Sequence, residues 1–185
     1  MISSSKYGSN FQKEQFDDSE FINKMKQVKI KEIHLYDNCS YLAGYQIFYE
    51  TCNQIVTTGV HCTTDVETNS DSSKWKDLNG STIRKTTLKL DDDDYVERVS
   101  IRSGEIIDGI TFYTKKGKSV SAGGNGGNLS EVSYSNKQFV ALSGSHSTLT
   151  KKNHWFTIHC LTLYFDVLPN EKRFDPNDLK LEDNK

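Results

Sequence analysis

Two short loops, Ser103-Gly-Glu-Ile-Ile-Asp108 and Gly123-Gly-Asn-Gly-Gly127, are the most informative part of this 185-residue sequence. The first ends in a carboxylate, and the second has almost no side chains. Ile110, Phe112 and Val120, which lie between them, are typical of strands on either side of a turn, so we expect the two loops side by side at one end of a sheet. A carboxylate accepts hydrogen bonds and bare backbone N–H groups donate them, which suits a ligand rich in hydroxyl groups, such as a sugar.

The middle of the chain around these loops is also typical of β-strands. It is rich in β-branched and aromatic residues and has no proline before Pro169. Several runs change their alternation midway, as between Phe156 and Leu163, which predicts β-bulges. Strands are predicted over residues 29–36, 42–50, 54–60, 83–90, 95–102, 106–114, 118–122, 129–135, 138–144 and 154–167.

These predicted strands fall into three similar cycles, each a strand, a loop and a second strand. Three like antiparallel units predict an all-β architecture with pseudo-threefold symmetry. The matching pairs of segments are Lys31–Tyr36 with Ala43–Tyr49, Val96–Ile101 with Asp108–Tyr113, and Phe139–Ser143 with Trp155–Tyr164.

The two ends of the chain differ from this central part. Residues 1–27 form a predicted N-terminal arm, in which Met1–Phe16 has no clear periodicity and Asp18–Lys26 predicts a short helix. Residues 28–168 form the predicted domain. Residues 169–185 are highly charged and predict an extended or docked C-terminal tail.

Composition excludes several classes of function. The net charge is −2, which does not favour nucleic acid as a partner. No segment is apolar enough to span a membrane. The polar, serine-rich N-terminus does not resemble a secretory signal, so we expect a cytoplasmic or other intracellular location, cytosolic or nuclear. The four cysteines contain no C-x-x-C pair, which favours free thiols over a zinc site or disulfides.

The ordered pair of loops resembles the jacalin-related lectin family. Members of that family combine a G-x-x-x-D loop with a glycine-rich loop in each working sugar site, and Gly104-Glu-Ile-Ile-Asp108 and Gly123–Gly127 match that pattern. The resemblance covers roughly residues 28–167. It implies the β-prism I fold, with three antiparallel four-stranded Greek-key sheets, and binding of mannose-, glucose- or galactose-type glycans without catalysis.

The resemblance also implies a role for each site residue. Asp108 would accept hydrogen bonds from two sugar hydroxyls, and the backbone N–H groups of Glu105, Ile106 and Gly127 would donate to sugar oxygens. Gly104 would allow the chain to turn without a Cβ clash.

The sequence departs from the family pattern at the other two candidate sites. The C-terminal loop, residues 144–155, has no aspartate at the expected place, and the first-cycle loop Asp37–Leu42 lacks G-x-x-x-D. We therefore predict one hexose site. The alternative is a structural or accessory subunit of a larger assembly, which would use the domain for docking and bind other proteins through its arm and tail.

Simpler roles for these residues remain open. Asp108 could cap a turn or pair with Lys115 or Lys116, and Gly123–Gly127 could be a plain flexible loop. The acidic run Asp91–Asp94 lacks the alternating ligand spacing of a calcium loop and predicts a solvated turn. No nucleophile, metalloprotease or phosphate-loop motif occurs, so we predict no enzyme, no metal and no cofactor.

Overall fold

The computed structural model describes residues 1–9, 14–25, 28–52, 54–62, 71–77, 80–147 and 157–168. Besides a helix, α1 (Asp18–Asn23), and a 3₁₀ turn at Ser72–Lys74, the regular secondary structure of these residues consists of β-strands. In chain order the strands are β1 (Ile2–Ser3), β2 (Tyr7–Gly8), β3 (Glu14–Asp17), β4 (Lys29–Asp37), β5 (Leu42–Thr51), β6 (Gln54–Cys62), β7 (Arg84–Lys89), β8 (Val96–Ser103), β9 (Ile107–Thr114), β10 (Ser119–Gly123), β11 (Asn128–Ser133), β12 (Lys137–His146) and β13 (Ile158–Val167).

The strands form three antiparallel sheets, as predicted. Two of the sheets have four strands each, in the orders β6-β5-β4-β7 and β10-β9-β8-β11. In both, three consecutive strands lie side by side and the fourth returns next to the first, which is the Greek-key arrangement. The predicted all-β fold with pseudo-threefold symmetry is confirmed.

The third sheet combines both ends of the described chain. Its order is β1-β13-β12-β3, and β2 also pairs with β13. No strand was predicted in Met1–Phe16, yet this arm contributes the short strands β1, β2 and β3, which complete the sheet. Strands of two to four residues carry almost no periodic signal, and their partners lie more than 120 residues away, so local sequence did not reveal them.

The helix begins where predicted and is shorter than predicted, since it ends at Asn23. Asp17 caps it by accepting a hydrogen bond from the N–H of Ser19, at 2.9 Å. Asp18 is buried and accepts hydrogen bonds from the Tyr45 hydroxyl, at 3.0 Å, and from His61 Nε2, at 2.8 Å. These contacts attach the arm to strands β5 and β6.

The core lies between the inner faces of the three sheets. Alternate residues of each strand point into it, as Ile110 and Phe112 do in β9. Predicted bulges are confirmed: Ser145 pairs with Cys160 and His146 with Ile158, so the register of β12 and β13 shifts at His159. The largest fully buried side chains are Tyr45, Tyr49, Phe112, Phe139 and Phe165.

The acidic run lies at the end of the β8–β11 sheet that is opposite to Ser103. Asp91, Asp92 and Asp93 are exposed and pair with lysine side chains, as expected of a solvated turn. Asp94 differs, because it is buried and accepts hydrogen bonds from the N–H groups of Tyr95 and Lys116. This carboxylate therefore holds the turn together.

Other predictions for the ends and loops have mixed outcomes. The cysteines Cys39, Cys52, Cys62 and Cys160 all lie in described ranges and form no disulfide bond. Residues 144–146 belong to β12, not to a loop. Residues 148–156 and the predicted tail, residues 169–185, lie outside the described residues, and the boundary at residue 27 stays a prediction. No helix in the described ranges is both long enough and apolar enough to cross a membrane.

Candidate functional site

The two loops singled out in the sequence meet at one end of the β8–β11 sheet. The first joins β8 to β9, and the second joins β10 to β11. Gly123 pairs with Gly109 in the strand register, and the N–H of Gly124 donates to the carbonyl oxygen of Asp108 at 2.8 Å. The expectation that the loops lie side by side is therefore confirmed.

The carboxylate of Asp108 lies directly against the glycine-rich loop. A Cβ on Gly126 would lie 2.5 Å from Asp108 Oδ1, and a Cβ on Gly127 would lie 2.5 Å from Oδ2. Gly127 also has a φ of +61°, in the left-handed region that favours glycine. Only glycine can occupy these two positions without displacing the carboxylate, so the loop and the acid form one structural unit.

Gly104 does not play the steric role that was expected. A Cβ there would contact only the Cα of Gly127, at 3.9 Å, which is ordinary van der Waals distance. Its backbone is not in the left-handed region either. The turn is instead closed by a hydrogen bond from the N–H of Gly104 to the carbonyl of Ile106, at 3.1 Å. A side chain at position 104 would clash with no other part of the protein, so steric crowding does not explain why this residue is a glycine.

The two residues between Gly104 and Ile107 are anchored on opposite sides. The carbonyl of Glu105 accepts a hydrogen bond from the Ser9 hydroxyl of the N-terminal arm, at 2.6 Å. The side chain of Ile106 packs against a small apolar cluster that includes Tyr41 and Ile83. Within the described part of the chain, the N–H groups of Glu105, Ile106 and Gly127 have no acceptor. These three donors therefore remain available to a ligand.

Burial raises the pKa of the Asp108 carboxyl. Hydrogen bonds from the backbone N–H groups of Asp108 and Gly104, and the positive charge of Arg102, act in the opposite direction and are weaker. The simpler role of Asp108 as the cap of a turn stays a prediction, because the turn itself is closed by the hydrogen bond from Gly104 to Ile106. Partial burial of the acid without a cation in contact is typical of a binding site.

The alternative pairing of Asp108 with Lys115 or Lys116 is wrong. Lys116 pairs with Asp93, and its backbone N–H donates to Asp94, at the opposite end of the sheet. The N–H of Lys115 donates to Tyr95 at that same end. Among the described residues, Asp108 makes no ion pair within 4.0 Å.

The first-cycle loop, Asp37–Leu42, borders the site, a position that the sequence did not predict for it. A Cβ on Gly124 would lie 2.5 Å from the carbonyl oxygen of Ser40 and 3.0 Å from that of Cys39, so the β4–β5 loop packs directly on the glycine-rich loop. This contact joins two sheets and has no local sequence signal. The glycine at position 124 is therefore explained by packing between loops.

The arrangement provides one acceptor group with two oxygens and several backbone donors at the protein surface. Such a set can bind vicinal hydroxyls, each of which donates and accepts. In the described ranges no three histidine, cysteine or acidic side chains lie close enough together to hold a metal ion.

A separate polar cavity of about 380 Å³ lies between the N-terminal arm and strands β12 and β13. It is lined by residues that include Gln15, Glu20, Ser143 and Thr162, and by none from either loop. Size alone does not indicate function, and the paired loops place backbone donors without an acceptor in the described residues next to the Asp108 carboxylate. We therefore assign the candidate site to the loops.

Comparison with known proteins agrees with this architecture. A search of curated protein sequences finds no significant match. Frutalin from Artocarpus incisa superposes with a TM-score of 0.65 at 17% identity, covering 90% of this chain and 95% of that one. A mannose-specific jacalin-related lectin from Morus nigra, solved with mannose, gives 0.64 at 16% identity, covering 90% and 94%. A galactose-specific lectin from Artocarpus hirsuta, solved with methyl-α-D-galactose, gives 0.61 at 18% identity, covering 84% and 100%.

These identities are low, so the superpositions establish the fold alone. The family assignment comes from the family model of the jacalin-like lectin domain, which matches residues 4–152 and thus most of the chain. The match begins inside the N-terminal arm, in agreement with the role of β2 and β3 in completing the third sheet. The chain therefore belongs to the family of jacalin-like lectin domains.

Proposed function

We propose that this protein binds a hexose, without catalysis, at one site formed by Gly104–Asp108 and Gly123–Gly127. The observation that carries the proposal is the contact between the Asp108 carboxylate and the backbone of Gly126 and Gly127. Among the described residues, it places an acceptor that forms no ion pair beside bare main chain. The named roles are those expected from the sequence: Asp108 accepts from sugar hydroxyls, and the N–H groups of Glu105, Ile106 and Gly127 donate to sugar oxygens.

The sugar class follows from relatives whose solved structures contain mannose or a galactoside. A shallow and hydrated site makes few net hydrogen bonds, each contributing roughly 1 kcal/mol. After the cost of ordering the ligand, the expected Kd for a monosaccharide is on the order of 1 mM. Stronger binding would require a multivalent glycan.

The test is calorimetric titration of the protein with the methyl glycosides of mannose, glucose and galactose. We expect at least one of them to bind, and Asp108→Asn to abolish its binding while the thermal unfolding temperature stays close to that of the wild type. Asp91→Asn is the matched control, because Asp91 is an exposed acid at the opposite end of the same sheet. Binding that survives in Asp108→Asn would refute the site.

A further inference from the structure

Arg102 lies next to the candidate site. It belongs to β8, where its register partners are Gly109 on one side and Leu129 on the other. The guanidinium Nη1 donates to the carbonyl oxygen of Asn125 in the glycine-rich loop, at 3.3 Å. Because Gly109 and its own partner Gly123 have no side chains, the strip of sheet beside Arg102 is bare.

The charge of Arg102 acts on the Asp108 carboxyl, whose pKa it lowers, but the two groups form no ion pair in the described ranges. Glu131 lies diagonally between Arg98 and Arg102 in the strand register, yet its carboxylate binds Arg98, at 2.6 Å, and the Ser100 hydroxyl. The residue directly opposite Arg102 is Leu129, which cannot pair with a cation. Across the ranges that the structure describes, Arg102 makes no ion pair within 4.0 Å, and its one hydrogen bond is to a backbone carbonyl.

The surroundings of Arg102 combine an exposed apolar side chain with N–H donors that no described residue uses. Leu129 is 55% exposed and offers an apolar contact beside the guanidinium, as the C–H face of a sugar ring requires. A guanidinium presents five N–H donors in a planar fork that matches a carboxylate or a sulfate. Only one of these donors is used by Asn125.

We propose that the site prefers a hexose that carries an anionic group, a carboxylate or a sulfate, which Arg102 binds while Asp108 accepts hydrogen bonds from the ring hydroxyls. This inference rests on the proposed function, since it names the class of sugar bound at the same site.

The test compares matched ligands by calorimetry at low salt: the methyl glycosides of glucose, galactose and mannose, their uronic acids and their 6-sulfates. For a hexose that binds, we expect an anionic derivative to bind about fivefold more tightly than the neutral parent, as for one partly exposed ion pair. The comparison of uronic acid with 6-sulfate shows which group is preferred. The preference should decrease as salt is raised.

Arg102→Gln should reduce the anionic-to-neutral affinity ratio to about 1. Arg98→Gln is the matched control, because that arginine lies on the same strand and is already paired, so the ratio should stay at the wild-type value. A ratio of 1 in the wild type, or a preference that persists in Arg102→Gln, would overturn the anionic preference and leave the hexose site standing. If the wild type binds neither neutral nor anionic sugars, the proposed function is wrong as well.

Discussion

The β4–β5 hairpin and the β8–β9 hairpin lie at adjoining ends of two sheets, and each carries an aspartate. The two aspartates have different surroundings. In the β4–β7 sheet, Asp37 is fully buried, its carboxylate binds Arg84 at 2.5 Å, and it accepts from the N–H of Cys39 at 2.7 Å. In the β8–β11 sheet, Asp108 lies against two glycines and forms no ion pair with any residue that the structure describes. The first end uses its polar groups for stability, and the second leaves them available to a ligand.

The closed end is the β4–β5 hairpin with Asp37, and the open end is the β8–β9 hairpin with Asp108. The closed end also supports the open end. Asn38 and Tyr41 both donate to Asp77 Oδ2, at 2.9 and 3.0 Å, which fixes the loop that packs on Gly124. Ile106 of the open end packs into the apolar cluster of the closed end. A site whose donors are backbone groups needs a rigid frame, and here the neighbouring sheet contributes to it.

The largest effect is expected from removing the ion pair between Arg84 and Asp37 at the closed end. Arg84→Met should lower the free energy of unfolding by about 2–3 kcal/mol, because it leaves the buried Asp37 without its cation. Urea denaturation measures this loss. Arg98→Met is the control and should cost less than about 1 kcal/mol, because the Arg98–Glu131 pair is exposed. Equal losses in the two variants would mean that Asp37 does not need its partner.

The second largest effect is expected from a substitution that adds a side chain at the open end. Gly126→Ala should weaken hexose binding about 10- to 100-fold, because the added methyl would overlap Asp108 Oδ1 and force the loop or the acid to move. Calorimetry measures the affinity. Gly104→Ala adds the same methyl in the facing loop, where its nearest protein contact is 3.9 Å, and should keep the carboxylate in place. If the two variants lose the same affinity, the contact of Gly126 and Gly127 with the Asp108 carboxylate does not determine hexose binding.

The smallest effect concerns pH. Because burial raises the pKa of Asp108 in the folded protein, its contribution to stability is present in acid and is lost as the pH rises through that pKa. At pH 7 Asp108→Asn should therefore unfold at the same temperature as the wild type or slightly above it, and the difference should disappear in acid. Thermal unfolding at both pH values checks this. Hexose binding should weaken in acid, beginning at a pH above the usual titration range of an aspartate. An Asp108→Asn variant that is less stable than the wild type at pH 7 would contradict the raised pKa of Asp108.

Much of the fold could be predicted from local pattern. The strands from Lys29 to Val167 were recognisable because alternation and β-branched residues are local signals. The strands of the N-terminal arm were not, since each is stabilised by pairing with distant β12 or β13. The buried role of Asp94 was missed for the same reason: its partner Lys116 lies in another turn.

The candidate site divides in the same way. Asp108 and the glycine-rich loop were found together because their order and spacing form one motif. The contributions of Ser9, Ser40 and Arg102 were not found, because each reaches the loops from another segment. Protein partners of the arm and tail stay a prediction, although the described arm residues already pair with the chain's own strands.

The sequence by itself determined the strands between Lys29 and Val167, the threefold repetition and the identity of the acid and the glycines, since alternation, turn residues and motif spacing are encoded within a few neighbouring positions. Only the tertiary structure decided which of the similar hairpin ends is closed by its own salt bridge and which is open. That outcome depends on which side chains from other strands reach each carboxylate, and contacts between distant segments are set by how the sheets pack, not by local pattern.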